Sequence, residues 1–194
     1  MHKAALALAL AISALGAQAA DLSLSGQAVH HNDKIVIDFQ VAAGSTVSLW
    51  TDSWQAGLNF DPQLFLAWGG AIVSADDDGG NLINAGAGYY DAGLQFTAGT
   101  AGTYRLVLNA ASNNALGSTL SQGFSYDTDA PIALADWNQP SYDLNANDQK
   151  GGFWRLNLSG VEQAAVVPEP GRVALLLAGL AGIAFSVRLR QTQR

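Results

Sequence analysis

Three consecutive aspartates, Asp76-Asp77-Asp78, lead directly into Gly79-Gly80-Asn81. Carboxylates about 4 Å apart repel by ~1 kcal/mol in water and by ~4 kcal/mol near a protein surface. A run of this kind is either a solvated turn with its charges splayed into water or a cation site. Calcium is the cation whose chemistry fits, because it takes roughly 6–8 oxygen ligands from carboxylates, amides and carbonyls in flexible loops. Asp52, Asp61 and Asp91 stand at the ends of other expected strands and could bring their carboxylates to the same rim. Those six aspartates are the candidate calcium ligands. Asp143-Leu144-Asn145-Ala146-Asn147-Asp148 has the spacing of the first half of an EF-hand loop, but Asp148 replaces the turn glycine and Trp154 the closing glutamate. An Asn/Asp turn is the simpler reading there.

The second chemistry on offer is aromatic. Trp50, Trp54, Trp68, Trp137 and Trp154 are many indoles for a small chain, and an exposed indole stacks on a sugar ring while neighbouring Asp and Asn hold hydroxyls. Trp50, Trp54 and Trp68 are the candidate carbohydrate contacts. Packing is the competing role for each, as for most tryptophans. Strand alternation puts Trp50 opposite Val47 and Leu49, so if those two face a core, Trp50 faces outward.

Catalysis has little to stand on. His30 and His31 are adjacent and would point to opposite faces of a strand, which argues against a two-histidine zinc site and for surface or turn residues. No Gly-x-Ser-x-Gly elbow occurs. Carboxylate pairs for glycoside hydrolysis exist in number, but no neighbour visibly raises one of their pKa values. The expectation is a non-catalytic protein without catalytic residues.

Charge narrows the partners. Residues 21–167 hold 4 basic and 15 acidic side chains, a formal charge of −11 against −7 for the whole chain. Such acidity repels the phosphates of nucleic acid and of anionic membranes and favours cations. There is no cysteine, so neither disulfides nor thiolate ligands contribute.

Positioning these groups falls to short strands, expected over 22–29, 34–41, 46–51, 64–68, 71–75, 93–97, 103–109 and 153–158. Gly69-Gly70 should close a tight hairpin between the fourth and fifth, and the turn at Ala43-Gly44-Ser45 suggests another between the second and third. No helical periodicity lasts three turns. The expected fold is therefore all-β, an antiparallel two-sheet sandwich of jelly-roll type over 21–165. Residues 112–152 are rich in Ser, Asn, Asp and Gly but carry Phe124, Tyr126, Trp137 and Tyr142, so they should form a loop-rich lobe that still packs.

The two ends read as addresses. His2 and Lys3 precede an apolar stretch over 4–15, and Ala17-Gln18-Ala19 supplies the small residues a signal peptidase reads, so 1–20 is expected to be a secretory signal peptide. At the other end the apolar run 173–187 is 15 residues long, shorter than the ~20 a membrane-crossing helix needs, and Arg188, Arg190 and Arg194 follow it. A short hydrophobic helix is expected there. Val167-Pro168-Glu169-Pro170, that run with Leu175-Leu176-Leu177 and Gly179-Leu180, and the terminal arginines together resemble the PEP-CTERM sorting tail, here 166–194. The resemblance implies export, membrane attachment through the tail before processing, recognition of Pro168, Glu169 and Pro170 by an exosortase-type enzyme, and delivery to the cell envelope or an exopolysaccharide matrix. Trp50 to Trp54, Asn59 to Pro62, Ala75 to Asp78 and Asp91 to Tyr104 are similar in outline to exported β-sandwich domains of the bacterial pre-peptidase C-terminal kind. That likeness implies a non-catalytic sandwich with acidic loops and calcium on Asp52, Asp61, Asp76, Asp77, Asp78 and Asp91. Ala67-Trp68 stands where an acid is expected, which removes one ligand.

Overall fold

The computed structural model describes residues 20–56, 60–137 and 151–168. Nine strands run through them: β1 (Ala20–Gln27), β2 (Ile35–Val41), β3 (Thr46–Thr51), β4 (Pro62–Trp68), β5 (Ala71–Asp76), β6 (Gly93–Thr97), β7 (Gly102–Ala110), β8 (Phe153–Val161) and β9 (Gln163–Val167). Two one-turn helices, α1 (Ser53–Ala56) and α2 (Gly80–Ile83), interrupt them. The expected leader up to residue 19, the segment 143–148, Tyr142 and the apolar run 173–187 lie outside the described residues. Among the described residues no helix is long and apolar enough to cross a membrane.

The strands form two antiparallel sheets, in the orders β1-β8-β3-β6 and β5-β4-β7-β2-β9. The β4–β5 hairpin closes as the glycine pair demands: Trp68 pairs with Ala71, and Gly69 and Gly70 have φ of +58° and +88°, which a two-residue turn of this hand needs. The other expected hairpin does not form. β2 pairs with β7 and β9 while β3 pairs with β6 and β8, so the turn after Val41 carries the chain from one sheet to the other. Phe39 and Val41 on β2 and Val47 and Leu49 on β3 are all buried, and they face each other across the sandwich rather than along one sheet. A turn motif fixes a change of direction; it does not choose between pairing within a sheet and crossing the core.

Alternation then builds the core. Ile37, Leu64, Leu66, Leu106, Leu108, Leu156 and Leu158, all at 0–1% exposure, interleave between the inner faces. Phe39, Phe96, Trp68 and Tyr104 close one end, with Trp68 and Tyr104 ring centroids 4.4 Å apart.

The lobe after β7 packs on the outer face of the five-stranded sheet. Phe124 seats on Phe65 and Val107 to make a second, smaller core with Val36, Ile72, Ala115 and Leu120 around it. Farther along, His31 lies between the rings of Tyr126 and Trp137, 5.2 Å from each, and is 2% exposed. His31 sits in the expected turn but is a buried packing residue there rather than a surface one; its Nδ1 accepts the Ile132 N–H at 3.2 Å. His30, pointing the other way, is half-exposed.

One strand lacked a sequence signal. β9 follows β8 after Glu162 alone, yet it pairs with β2 in the opposite sheet. Its Gln-Ala-Ala-Val-Val sequence shows no alternation, and its burial shows little either, because it is an edge strand.

Candidate functional site

Asp91, Asp52 and Asp76 lie near one end of the four-stranded sheet, and protein donors engage all three. Asp91, at 0% exposure, precedes β6 and faces the end of β3. Its Oδ1 accepts from the Thr51 hydroxyl (2.8 Å), the Ser53 N–H (2.6 Å) and the Trp54 N–H (3.1 Å), and its Oδ2 from the Gly88 N–H (2.7 Å). Thr51 Oγ1 in turn accepts the Ala92 N–H at 3.0 Å. The carboxylate thereby caps the orphan amides of α1 and pins the loop before β6 to the end of β3.

Asp52, the next residue after β3, forms a two-pronged pair with Arg155 of β8: Nε to Oδ1 and Nη2 to Oδ2, both 2.6 Å. This contact and the nearby Asp91 charge hold the Arg155 guanidinium above its usual pKa range. Asp76 ends β5, and its Oδ1 accepts the N–H groups of Gly79 (2.6 Å) and Gly93 (2.9 Å), so the acidic turn folds back onto β6. Asp77 and Asp78 are exposed. Partial burial, then Asp77 and Asp76, raise the Asp78 carboxyl above its usual pKa. Asp61 is 5% exposed at the start of β4, where its carbonyl takes the Ala111 N–H at 2.8 Å.

The six aspartates therefore divide by role. Asp76, Asp77 and Asp78 stay together in one turn with Asp76 held by main-chain N–H groups, Asp52 and Asp91 are engaged by protein donors, and Asp61 lies at the β4–β7 end of the other sheet. Among the described residues no group of three or more His, Cys, Asp or Glu is arranged to hold a metal ion. The described lysine and arginine side chains, Lys34, Arg105 and Arg155, are paired with Asp127, Asp38 and Asp52 respectively, which leaves Asp77 and Asp78 without a cation among them.

The three candidate tryptophans also part ways. Trp54 is buried, its ring 4.5 Å from Tyr90, and Trp68 packs against the core beside Tyr104. Trp137 and Trp154 are buried as well. Trp50 alone lies on an outer sheet face, half-buried, while Val47 and Leu49 are at 0% exposure on the inner one. The register puts it in one cross-strand row, Ser23 opposite Asn157, Asn157 opposite Trp50, and Trp50 opposite Gly93. The neighbouring rows hold Ser159, Ser48 and Gln95 on one side and Ser25 and Arg155 on the other. Asn157 and Arg155 had no signal of their own in the sequence; only the β3–β8 register brings them beside Trp50 and Asp52.

Of the sorting motif, Pro168 is described and Glu169 and Pro170 are not. Pro168 follows β9 directly and borders a cleft of about 410 Å³ between the β1 and β9 edges, beside Trp154, Gly26 and Lys34. Against known proteins, the chain matches no family model and no curated protein.

Proposed function

We propose that this chain is an exported, non-catalytic β-sandwich of jelly-roll type that serves in the cell envelope or an exopolysaccharide matrix, its tail processed by an exosortase-type enzyme. The observation that carries the reading is the position of the motif. β9 pairs with β2 up to Val167, and Pro168, which has no N–H to extend a ladder, opens the Pro-Glu-Pro sequence immediately after. A folded domain that finishes where a sorting signal starts can lose the tail without losing a strand. The jelly-roll assignment is supported by the strand orders: taken without β9, 1-8-3-6 and 5-4-7-2 are the two halves of an eight-strand roll wound from paired Greek keys. The acidic surface, with the described lysines and arginines already paired, supports a site of action away from nucleic acid and anionic lipid.

The test is fate of the tail in a producing cell that carries such a processing enzyme. Intact mass of the surface-fraction protein is expected to show loss of both the leader and the tail, whereas Glu169→Ala should leave the tail on and the protein in the membrane fraction. Equal processing of both forms would overturn the sorting assignment.

Calcium belongs to this proposal only at Asp76, Asp77 and Asp78. A carboxyl whose folded-state pKa is raised binds its proton more readily when folded, so Asp78 favours the fold at low pH and loses that contribution as pH rises through its folded pKa. At neutral pH the charged cluster is a cost that a cation relieves. The melting temperature should rise more in millimolar calcium than in equal magnesium. Asp78→Asn should melt higher than the parent at pH 7 without added ion, and it should respond less to calcium. An identical response to both ions in both proteins would reduce the cluster to a solvated turn.

A further inference from the structure

We propose that the outer face of the four-stranded sheet binds a neutral polysaccharide, with Trp50 as its stacking platform. The sandwich has two outer faces, and they differ in how they are treated. The lobe carrying Phe124 covers the face of the five-stranded sheet, while on the four-stranded sheet Ser23, Ser25, Gln95 and Thr97 stay exposed and the acidic turn crosses one margin. That margin is at Gly93. A Cβ there would lie 2.6 Å from the Gly79 carbonyl oxygen, so the glycine is what lets the acidic turn cross beside Trp50 and stand as a wall.

The floor next to that wall has the composition sugars need. A row across four strands about 4.8 Å apart spans roughly 14 Å, enough for a short run of rings. It offers one large apolar surface, the Trp50 indole, among Ser23, Asn157, Ser48, Ser159 and Gln95, all hydroxyl or amide groups that donate and accept. Gln95 and Ser23 are exposed, and the Gln95 amide already donates to Ser48 Oγ at 2.9 Å. Amphipathic faces of sugar rings match such a mixture of indole and short polar groups.

Charge chooses the class of polymer. Asp52 and Arg155 neutralise each other through a two-pronged contact, which leaves Asp21, exposed at the β1 edge of the same face, as a negative charge with no unpaired cation among the described residues to balance it. The surrounding domain is strongly anionic. A uronate- or phosphate-bearing polymer meets repulsion from the domain with no free cation here to offset it, whereas a neutral one meets none.

This proposal rests on the exported reading for its biological setting, but its test does not. The full-length purified chain is run on native gels cast with soluble β-1,3-glucan, galactomannan or dextran, and with alginate as the polyanion. Retardation by at least one neutral polymer and none by alginate is expected. Trp50→Ala should weaken that binding about tenfold or more, while Trp50→Phe, which keeps a ring, should retain a measurable part. Because Trp50 lies outside the core, both variants should melt close to the parent. Failure of every neutral polymer, retardation by alginate alone, or unchanged binding by a folded Trp50→Ala would overturn the assignment. Tail processing would be untouched by any of these results.

Discussion

Asp91→Ala is expected to lower the melting temperature by roughly 10–15 °C, with little change in the far-ultraviolet strand signal below the transition. The side chain is at 0% exposure and accepts four hydrogen bonds, three of them from main-chain N–H groups. Removing it strands those donors in a dry site, at ~1–3 kcal/mol for each that water does not reach, and a total near 4 kcal/mol allows for partial rescue by water. For a domain of about this size each kcal/mol moves the midpoint by roughly 2–4 °C. Asp91→Asn keeps the volume and one oxygen but turns an NH2 group toward existing donors, so about half the loss is expected. The damage should be local before it is global. Trp54, whose N–H is one of the four donors, should shift its emission to longer wavelength before the rest of the molecule melts. A melting temperature within 2 °C of the parent for Asp91→Ala would mean that the hub is solvent-served and not structural.

This same residue marks the limit of what the sequence discloses. Asp91 sits among Gly, Ala and Tyr at the start of a strand, and a lone acid in such a place reads equally as a ligand, a turn or a cap. Its four donors come from residues 51, 53, 54 and 88, and no local pattern predicts that three of them share one oxygen. Alternation, by contrast, is local. Phe39 and Val41, Val47 and Leu49, and Leu106 and Leu108 follow the period of two and are buried as that period requires. It also placed Trp50 outward, because β3 has a simple inner and outer face. Trp54 and Trp68 escaped the same reasoning for different reasons: one sits on a helix of a single turn, and the other leans into the core beside Tyr104 at a strand end.

The surroundings of the candidate calcium ligands were the hardest to foresee, since the sequence counts carboxylates but not the cations and amides that meet them. Arg155 is 103 positions from Asp52. Only once β8 lies beside β3 does that pair exist, and it engages a candidate ligand while cancelling that ligand's charge. The consequence runs from topology to charge: the strand order that defines the fold also determines which acids meet a protein cation and which do not.

Gly160→Val should destabilise the fold by about 3–4 kcal/mol, near 10 °C in melting temperature, and should act chiefly on the last strand. β1 and β8 pair in register up to Leu22 and Leu158, then Ala20 meets Val161, so β8 spends two residues, Ser159 and Gly160, where β1 spends one. This bulge shifts the phase of the strand and turns Val161, at 0% exposure, into the core in place of Gly160. Gly160 has φ of +80°, and a Cβ on it would stand 2.2 Å from the Thr46 carbonyl oxygen. A β-branched residue would pay ~1–2 kcal/mol for that backbone conformation, and the clash with main chain adds ~1–3 kcal/mol because β3 cannot yield without breaking its own ladder. The chain beyond has no slack to absorb the change. Glu162 donates its N–H to Gln40 at 2.8 Å, and β9 begins pairing with β2 at the next residue. The bulge is thus the corner that carries the chain from one sheet to the other and sets where Pro168 emerges. Amide exchange in β9 should quicken in Gly160→Val well before exchange in β4 or β7 does, since an edge strand has one partner and they have two. Gly99→Ala is the matched control, at a glycine with open space around it, and should be nearly neutral. If both variants melt alike, the corner is held by pairing alone and the glycine is incidental; if only Gly160→Val falls and β9 exchanges first, the point where Pro168 leaves the sheet is set by this one bulge.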